Sequence, residues 1–311
     1  MHSVNPANWW KVGQELRRLA PDLIIARFWI PFMGPALGSI LRIARCNGHT
    51  RVLAITDNVI PHERRPGDRI LTRYFLRSVD AFVVMSKAVG EDIRSFIAGA
   101  PVRFIPHPIY DNYGPLAGRE EALERLGLPK AERYLLFFGF VRAYKGLDLL
   151  LRAMAEPEVR ALRLQLIVAG EFYGPAEPYR QIVAEEGLED TVIFRSDYIP
   201  NEEVRDYFAA ADLVVQPYKT ATQSGISQLA FHFEKPMVVT RVGGLPEIVA
   251  HGKEGYVVDV DPRAIARAIV DFYQNDRLAD MSAAVKAAQA RYSWENMVQG
   301  IRELYQQIKE S

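Results

Sequence analysis

A chain of 311 residues, about half of them apolar and a quarter charged, has an ordinary globular composition and exceeds the usual size of one hydrophobic core. Lys plus Arg equals Asp plus Glu, so the formal net charge is zero and a broad attraction to nucleic acid is not indicated. The single cysteine, Cys46, rules out an intrachain disulfide and a cysteine-rich zinc site. No apolar run reaches membrane-spanning length and no signal peptide opens the chain, so a cytoplasmic location is the default expectation.

The first element is unusual. Asn5-Pro6 followed by Trp9, Val12, Leu16 and Leu19 reads as a capped amphipathic helix, not a strand. Apolar runs then predict strands at Asp22–Arg27, Val52–Thr56, Ala81–Met85 and Val102–Ile105. Further strands are expected at Tyr134–Phe138, Gln165–Ala169, Val192–Arg195, Leu213–Gln216, Met237–Thr240 and Gly255–Val258. Helical segments lie between most of them, as parallel crossovers require. The expected fold class is therefore α/β, with two doubly wound, Rossmann-like domains. Pro108, Gly114 and Pro115 mark the join, giving residues 1–112 and 113–292 as the two domains.

Several loops carry candidate chemistry. Ile55 to Glu63 leaves a strand into a polar loop holding Asp57 and His62. Gly139 to Gly146 runs from a strand end to a helix start and carries Arg142 and Lys145, a setting suited to a diphosphate. Gly170 and Tyr198 follow two further strands. Residues Ala209 to Val249 place a loop of Thr222, Gln223, Ser224 and Gly225, then Ser227 and Gln228, close to the glycine turn Gly243-Gly244 with Glu247 beyond it. Hydroxyls, amides and glycines at strand ends suit a ligand with many hydroxyl groups. Gln228 reads equally as a helix-surface residue, and Glu247 equally as a complement to the helix dipole. Asp259-Val260-Asp261 precedes Pro262 and reads as a helix cap, so no metal site is expected. Trp29 to Met33 could line an acceptor entrance or touch lipid. The basic pairs Arg17-Arg18 and Arg64-Arg65 read as solvated faces or as contacts with an anionic membrane.

The segment ADLVVQPY…SGISQLAFHFEKPMVVTRVGGLPEIV resembles the nucleotide-sugar half of retaining glycosyltransferases of family 4, which have the GT-B fold. LLFFGFVRAYKGLDLLLRAM, LRLQLIVAGEF and YSWENMVQGIRELYQQI agree with that family in the same order. The resemblance implies donor-binding roles for Gly139, Arg142, Lys145, Gly170, Tyr198, Gln223, Ser224, Gly225, Gln228, Gly243, Gly244 and Glu247. It implies catalytic or acceptor-side roles for Asp57, His62, Arg142 and Lys145. The nucleotide sugar is the substrate, no cofactor or metal is expected, and the acceptor is a saccharide or a lipid-linked one, with peripheral contact at the inner membrane face. It further implies that the terminal helix, residues 293–309, returns to brace the first domain.

Three departures stand out. The family cation after the strand-end glycine is replaced by Phe140, with Arg142 two residues later. Two family glutamates fall on Ala221 and Leu229 here. The opening strand and glycine-rich loop of the family's first domain are not seen, so that domain is expected to be incomplete. An enzyme and a non-catalytic nucleotide-sugar-binding protein of the same fold both remain open.

Overall fold

The computed structural model describes residues 2–61, 65–110, 112–130 and 132–310. In chain order it contains α1 (Pro6–Leu19), β1 (Leu23–Phe28), α2 (Gly34–Arg45), β2 (Arg51–Thr56), α3 (Asp68–Leu76), β3 (Ala81–Val84), α4 (Lys87–Phe96) and β4 (Val102–Phe104). There follow α5 (Arg119–Leu126), β5 (Arg133–Phe138), α6 (Leu147–Ala155), α7 (Pro157–Arg160), β6 (Leu164–Ala169), α8 (Glu177–Glu185), β7 (Val192–Arg195) and α9 (Asn201–Ala210). The last group is β8 (Leu213–Gln216), α10 (Gly225–His232), β9 (Met237–Thr240), α11 (Leu245–Ile248), β10 (Gly255–Val258), α12 (Pro262–Gln274), α13 (Leu278–Ala288) and α14 (Trp294–Lys309). Two compact units result: residues 1–107 with 294–311, and residues 108–293.

In the first unit four parallel strands stand in the order β1-β2-β3-β4. With right-handed crossovers, strands added in one direction put their connecting helices on one face. Leu41 of α2, Phe75 and Leu76 of α3, and Val89 and Ile93 of α4 indeed share one core with Phe28, Ala54 and Phe82. The winding reverses nowhere among the described residues of this sheet. Its other face, carrying Leu53, Ala81, Val83 and Ile105, is covered by Met297, Leu304 and Ile308 of α14. Asn5 caps α1, its side-chain oxygen accepting from the Ala7 and Asn8 N–H groups.

The second unit is a six-stranded parallel sheet in the order β10-β9-β8-β5-β6-β7. Building starts at β5, runs outward to β7, and returns to β8 on the opposite side of β5. The reversal puts α6 and α8 on one face, with Leu150, Leu151 and Val183, and α9 and α10 on the other, with Phe208 and Phe231. Because both faces are covered, Leu213–Gln216 is buried along its whole length, and its Leu-Val-Val reads as a continuous apolar run, not as alternation. A reversal of this kind opens a crevice at the carboxyl ends of the two central strands, β5 and β8.

Candidate functional site

The crevice is built by glycines. β5 ends at Gly139, held at φ +90°, and β6 ends at Gly170, at φ +136°. A Cβ on Gly170 would lie 2.5 Å from the Gly139 carbonyl oxygen, so the two backbones touch where only glycine fits. The chain then pairs again through a bridge between Val141 and Phe172. That bridge carries Arg142 to Tyr173, whose ring its guanidinium stacks on at 4.1 Å. One helical turn, Ala143–Lys145, leads through Gly146 into α6.

Lys145 folds back into the crevice and is buried, at 8% exposure. Its Nζ lies 5.8 Å above the ring of Tyr218 and only 3.3 Å from where a Gly139 side chain would begin. The described residues give it no carboxylate partner. Burial, then the nearby Arg142 charge, push its pKa down to about 8. Tyr218, at the end of β8, is itself buried, and desolvation raises its hydroxyl well above the ordinary phenol range.

The loop after β8 supplies the opposite wall. Ser224 is the N-cap residue of α10, yet its hydroxyl meets the Tyr218 hydroxyl at 3.2 Å instead of capping the helix. Ile226, in the first turn, leans over Gly139, its Cδ1 3.1 Å from where a Cβ on that glycine would lie. The positive end of α10 therefore stands beside Lys145 with no acidic residue in its first turn. Gln228 is 1% exposed and Ser227 fully buried, which sets aside the reading of Gln228 as a surface residue. Ser227 donates to Gln216 Oε1 at 3.0 Å, whereas Gln228 Oε1 and Gln223 Nε2 are buried atoms without a protein partner. Two orphaned amide atoms, one acceptor and one donor, are the pattern a polar ligand satisfies.

The third wall comes from the turn after β9. Gly243 has φ +50°, and a Cβ there would overlap the Ala221 carbonyl oxygen at 1.5 Å. The Gly244 N–H donates to the Thr222 carbonyl at 3.1 Å, so the two loops are tied together. Glu247 is half-buried in the first turn of the short α11. Leu229, at one of the two positions where the resembled pattern has glutamate, is 5% exposed in the core. Ala221, at the other, presents only its backbone to Gly243.

Lys145, Gly139, Gly170, Arg142, Gln223, Ser224, Gly225, Gln228, Gly243 and Gly244 thus gather at the ends of neighbouring strands. Tyr198 stands apart: it follows the edge strand β7 and is 66% exposed. Reading the sequence missed Tyr218 and Ile226, which lie in plain view in the quoted segments, and Tyr173 just beyond one of them; all three gain their meaning only from contacts across the sheet. Asp261 accepts from the Ala264 N–H at 2.8 Å as the cap of α12, and Asp259 faces Arg241. In the first unit, Asp57 forms an ion pair with Arg27, Nε to Oδ2 at 2.8 Å. His62, and Arg64 of the basic pair Arg64-Arg65, lie outside the described residues. Among the described residues no helix is long and apolar enough to cross a membrane.

Two family models match this chain. Residues 1–112 match Glycosyltransferase Family 4, and residues 132–275 match Glycosyl transferases group 1. Similar proteins include the D-inositol 3-phosphate glycosyltransferases of Streptomyces scabiei, 30% identical over 81% of this chain and 59% of the relative, and of Streptomyces coelicolor, 31% identical over 84% and 58%. The chain thus spans less than two thirds of the length of these relatives. Among solved structures, HepE of Anabaena in complex with UDP superposes with a TM-score of 0.75 at 20% identity, covering 95% of this chain and 80% of that one. Sucrose-phosphate synthase from Thermosynechococcus elongatus gives a TM-score of 0.74 at 20% identity, over 96% and 79%. Such neighbours fix the architecture as the GT-B fold of two parallel α/β units. With both units matched in sequence and in fold, the chain belongs to the family 4, or group 1, glycosyltransferases.

Proposed function

We propose that this chain binds a nucleotide sugar in the crevice between β5 and β8 and transfers its sugar to a saccharide or lipid-linked acceptor, with retention and without a metal. The observation that carries the reading is Lys145: a buried ammonium without a carboxylate partner, facing the positive end of a helix that has no acid in its first turn. At neutral pH an incoming anion relieves that arrangement, and a diphosphate fits between two such positive elements. As the nucleoside diphosphate leaves, Lys145 and Arg142 would stabilise the charge that develops on it. A leaving phosphate that takes the acceptor proton removes the need for a strong protein base. Asp57 would then orient the acceptor from the first unit, provided it releases Arg27. Gln228 Oε1 and Gln223 Nε2 would bind ribose or sugar hydroxyls, and Gly243-Gly244 would admit the sugar beside Glu247. Support comes from neighbours solved with UDP, and with UDP-glucose, and from relatives named as glycosyltransferases.

The second reading, a nucleotide-sugar-binding protein without transfer activity, is favoured by one feature. Both positions of the family's carboxylate pair hold Ala221 and the core residue Leu229, so no charge from them reaches the crevice. A thermal-shift titration with UDP, GDP, ADP and TDP, using Lys145→Ala as control, separates these readings from no binding at all. A shift from one nucleotide that is lost in the variant supports the donor site and selects the nucleotide sugars for a transfer assay. Product formed in that assay, with the donor's anomeric configuration kept and with EDTA present, supports the enzyme. Binding without turnover across acceptor classes supports the second reading, and no shift from any nucleotide sinks both.

A further inference from the structure

Two large aromatic side chains stand in solvent at the mouth of the crevice, where they serve no core: Phe140, 47% exposed, and Tyr173, 67% exposed. Their rings meet edge to face, with centroids 5.8 Å apart. Arg142 completes the group, its guanidinium 4.1 Å from the centre of the Tyr173 ring. The backbone beneath them is fixed. The Val141 N–H donates to the Glu171 carbonyl at 2.8 Å and the Tyr173 N–H to the Val141 carbonyl at 2.9 Å, while the Val141 side chain is buried. Phe172 anchors the second segment, packed against the rings of Tyr179 and Phe194 at 5.7 and 5.9 Å. Among the described residues Arg142 has no carboxylate partner, so the ring, not an ion pair, defines where its guanidinium sits. Held there, it bears on Lys145: after burial, the Arg142 charge is what pushes the Lys145 pKa down to about 8. Tyr218, whose ring lies under the same ammonium, stays neutral because desolvation raises its hydroxyl.

We propose that Tyr173 is a positioning residue for the donor diphosphate: its ring, steadied by Phe140, holds the Arg142 guanidinium near Lys145 so that both cations meet the phosphates together. This rests on the nucleotide-sugar reading of the crevice and deepens it. Lys145 is placed by burial, whereas Arg142 stands on an exposed rim and needs a support of its own. An aromatic face supplies one without neutralising the charge, as a carboxylate would. A guanidinium stacked by its flat face also keeps its N–H edge free for two phosphate oxygens. At an exposed site such stacking multiplies the held population about two- to fivefold.

Calorimetric titration of the full chain with UDP, GDP, ADP and TDP tests it, the nucleotide that binds the parent serving as probe. Arg142→Ala should weaken binding about tenfold, the loss of a charge-assisted contact. Tyr173→Ala should weaken it about two- to fivefold, and Tyr173→Phe and Tyr173→Trp, which keep a ring face, should restore it. In the Arg142→Ala background, Tyr173→Ala should have no further effect. A second readout needs no ligand. The Lys145 pKa, followed by NMR of labelled lysine side chains, should rise in Arg142→Ala and in Tyr173→Ala and stay at the parent's value in Tyr173→Phe. A merely structural ring would still shift it in the Arg142→Ala background. Tyr173 is exposed, so Tyr173→Ala should melt close to the parent; if it melts early, Tyr173→Leu removes the ring and keeps apolar bulk. Either readout unmoved in a well-folded variant, tighter binding without the ring, or a loss that persists in the Arg142→Ala background overturns the proposal and leaves the donor site standing. No binding of any nucleotide by the parent removes the donor site and the proposal with it.

Discussion

Burying an ammonium with no carboxylate beside it costs stability until an anion arrives, and Lys145 makes that cost measurable. Its folded pKa, about 8, lies below the ordinary value of 10.5. Below pH 8 the group is protonated in both states and the full penalty, about 3 kcal/mol, is present. Between pH 8 and 10.5 the unfolded chain holds more protons, so stability rises with pH until the penalty is gone. Lys235, also pushed down to about 8 by burial, acts in the same window, so the difference between parent and variant is the informative quantity. Lys145→Met should therefore gain up to about 3 kcal/mol in urea denaturation at pH 7, with the gain vanishing above pH 10.5. The same variant should lose nucleotide binding, and the parent's affinity should fall as pH rises past 8. A variant no more stable than the parent at neutral pH would mean the ammonium is not held out of water.

At the level of elements, α14 matters more than its place at the end of the sequence suggests. One-directional winding leaves half of the first unit's sheet without a helix of its own, and α14 covers it. Met297, Gly300, Leu304 and Ile308 face inward. A side chain on Gly300 would come within 2.5 Å of Ile105 Cδ1, and Arg51 Nε donates to the Ile308 carbonyl at 3.0 Å. Leu304→Ala should destabilise the first unit by about 2–4 kcal/mol, as large-to-small changes in a packed core do. Denaturation followed by a probe in β2 or β3 would measure it, and a cost under about 0.5 kcal/mol would show that the cover is loose. The apolar stripe of this helix was legible in the sequence. Which sheet it covers came from the family resemblance and not from the stripe, which records that a face is buried and not against what.

Across the molecule, nucleotide binding should leave a pattern in hydrogen exchange. The strongest added protection is expected in residues 139–146, 222–228 and 242–247, the first far from the other two in the chain and brought to them by the order of strands. Protection spread evenly over both units would contradict a local donor site. The sequence by itself determined the ten strands, because each carries a short run of apolar and β-branched residues that helices cover on at least one face. It also determined the α1 and α12 caps, through Asn5 and Asp261, and the glycines at strand ends. Strand order belongs to the tertiary structure, since hydrophobic period carries no record of which strand lies beside which. That order puts Tyr218 beneath Lys145, ties Gly244 to Thr222, turns Gln228 into a buried amide and joins Asp57 to Arg27. Each of these depends on a partner distant in sequence, where packing between elements, not local propensity, sets who meets whom.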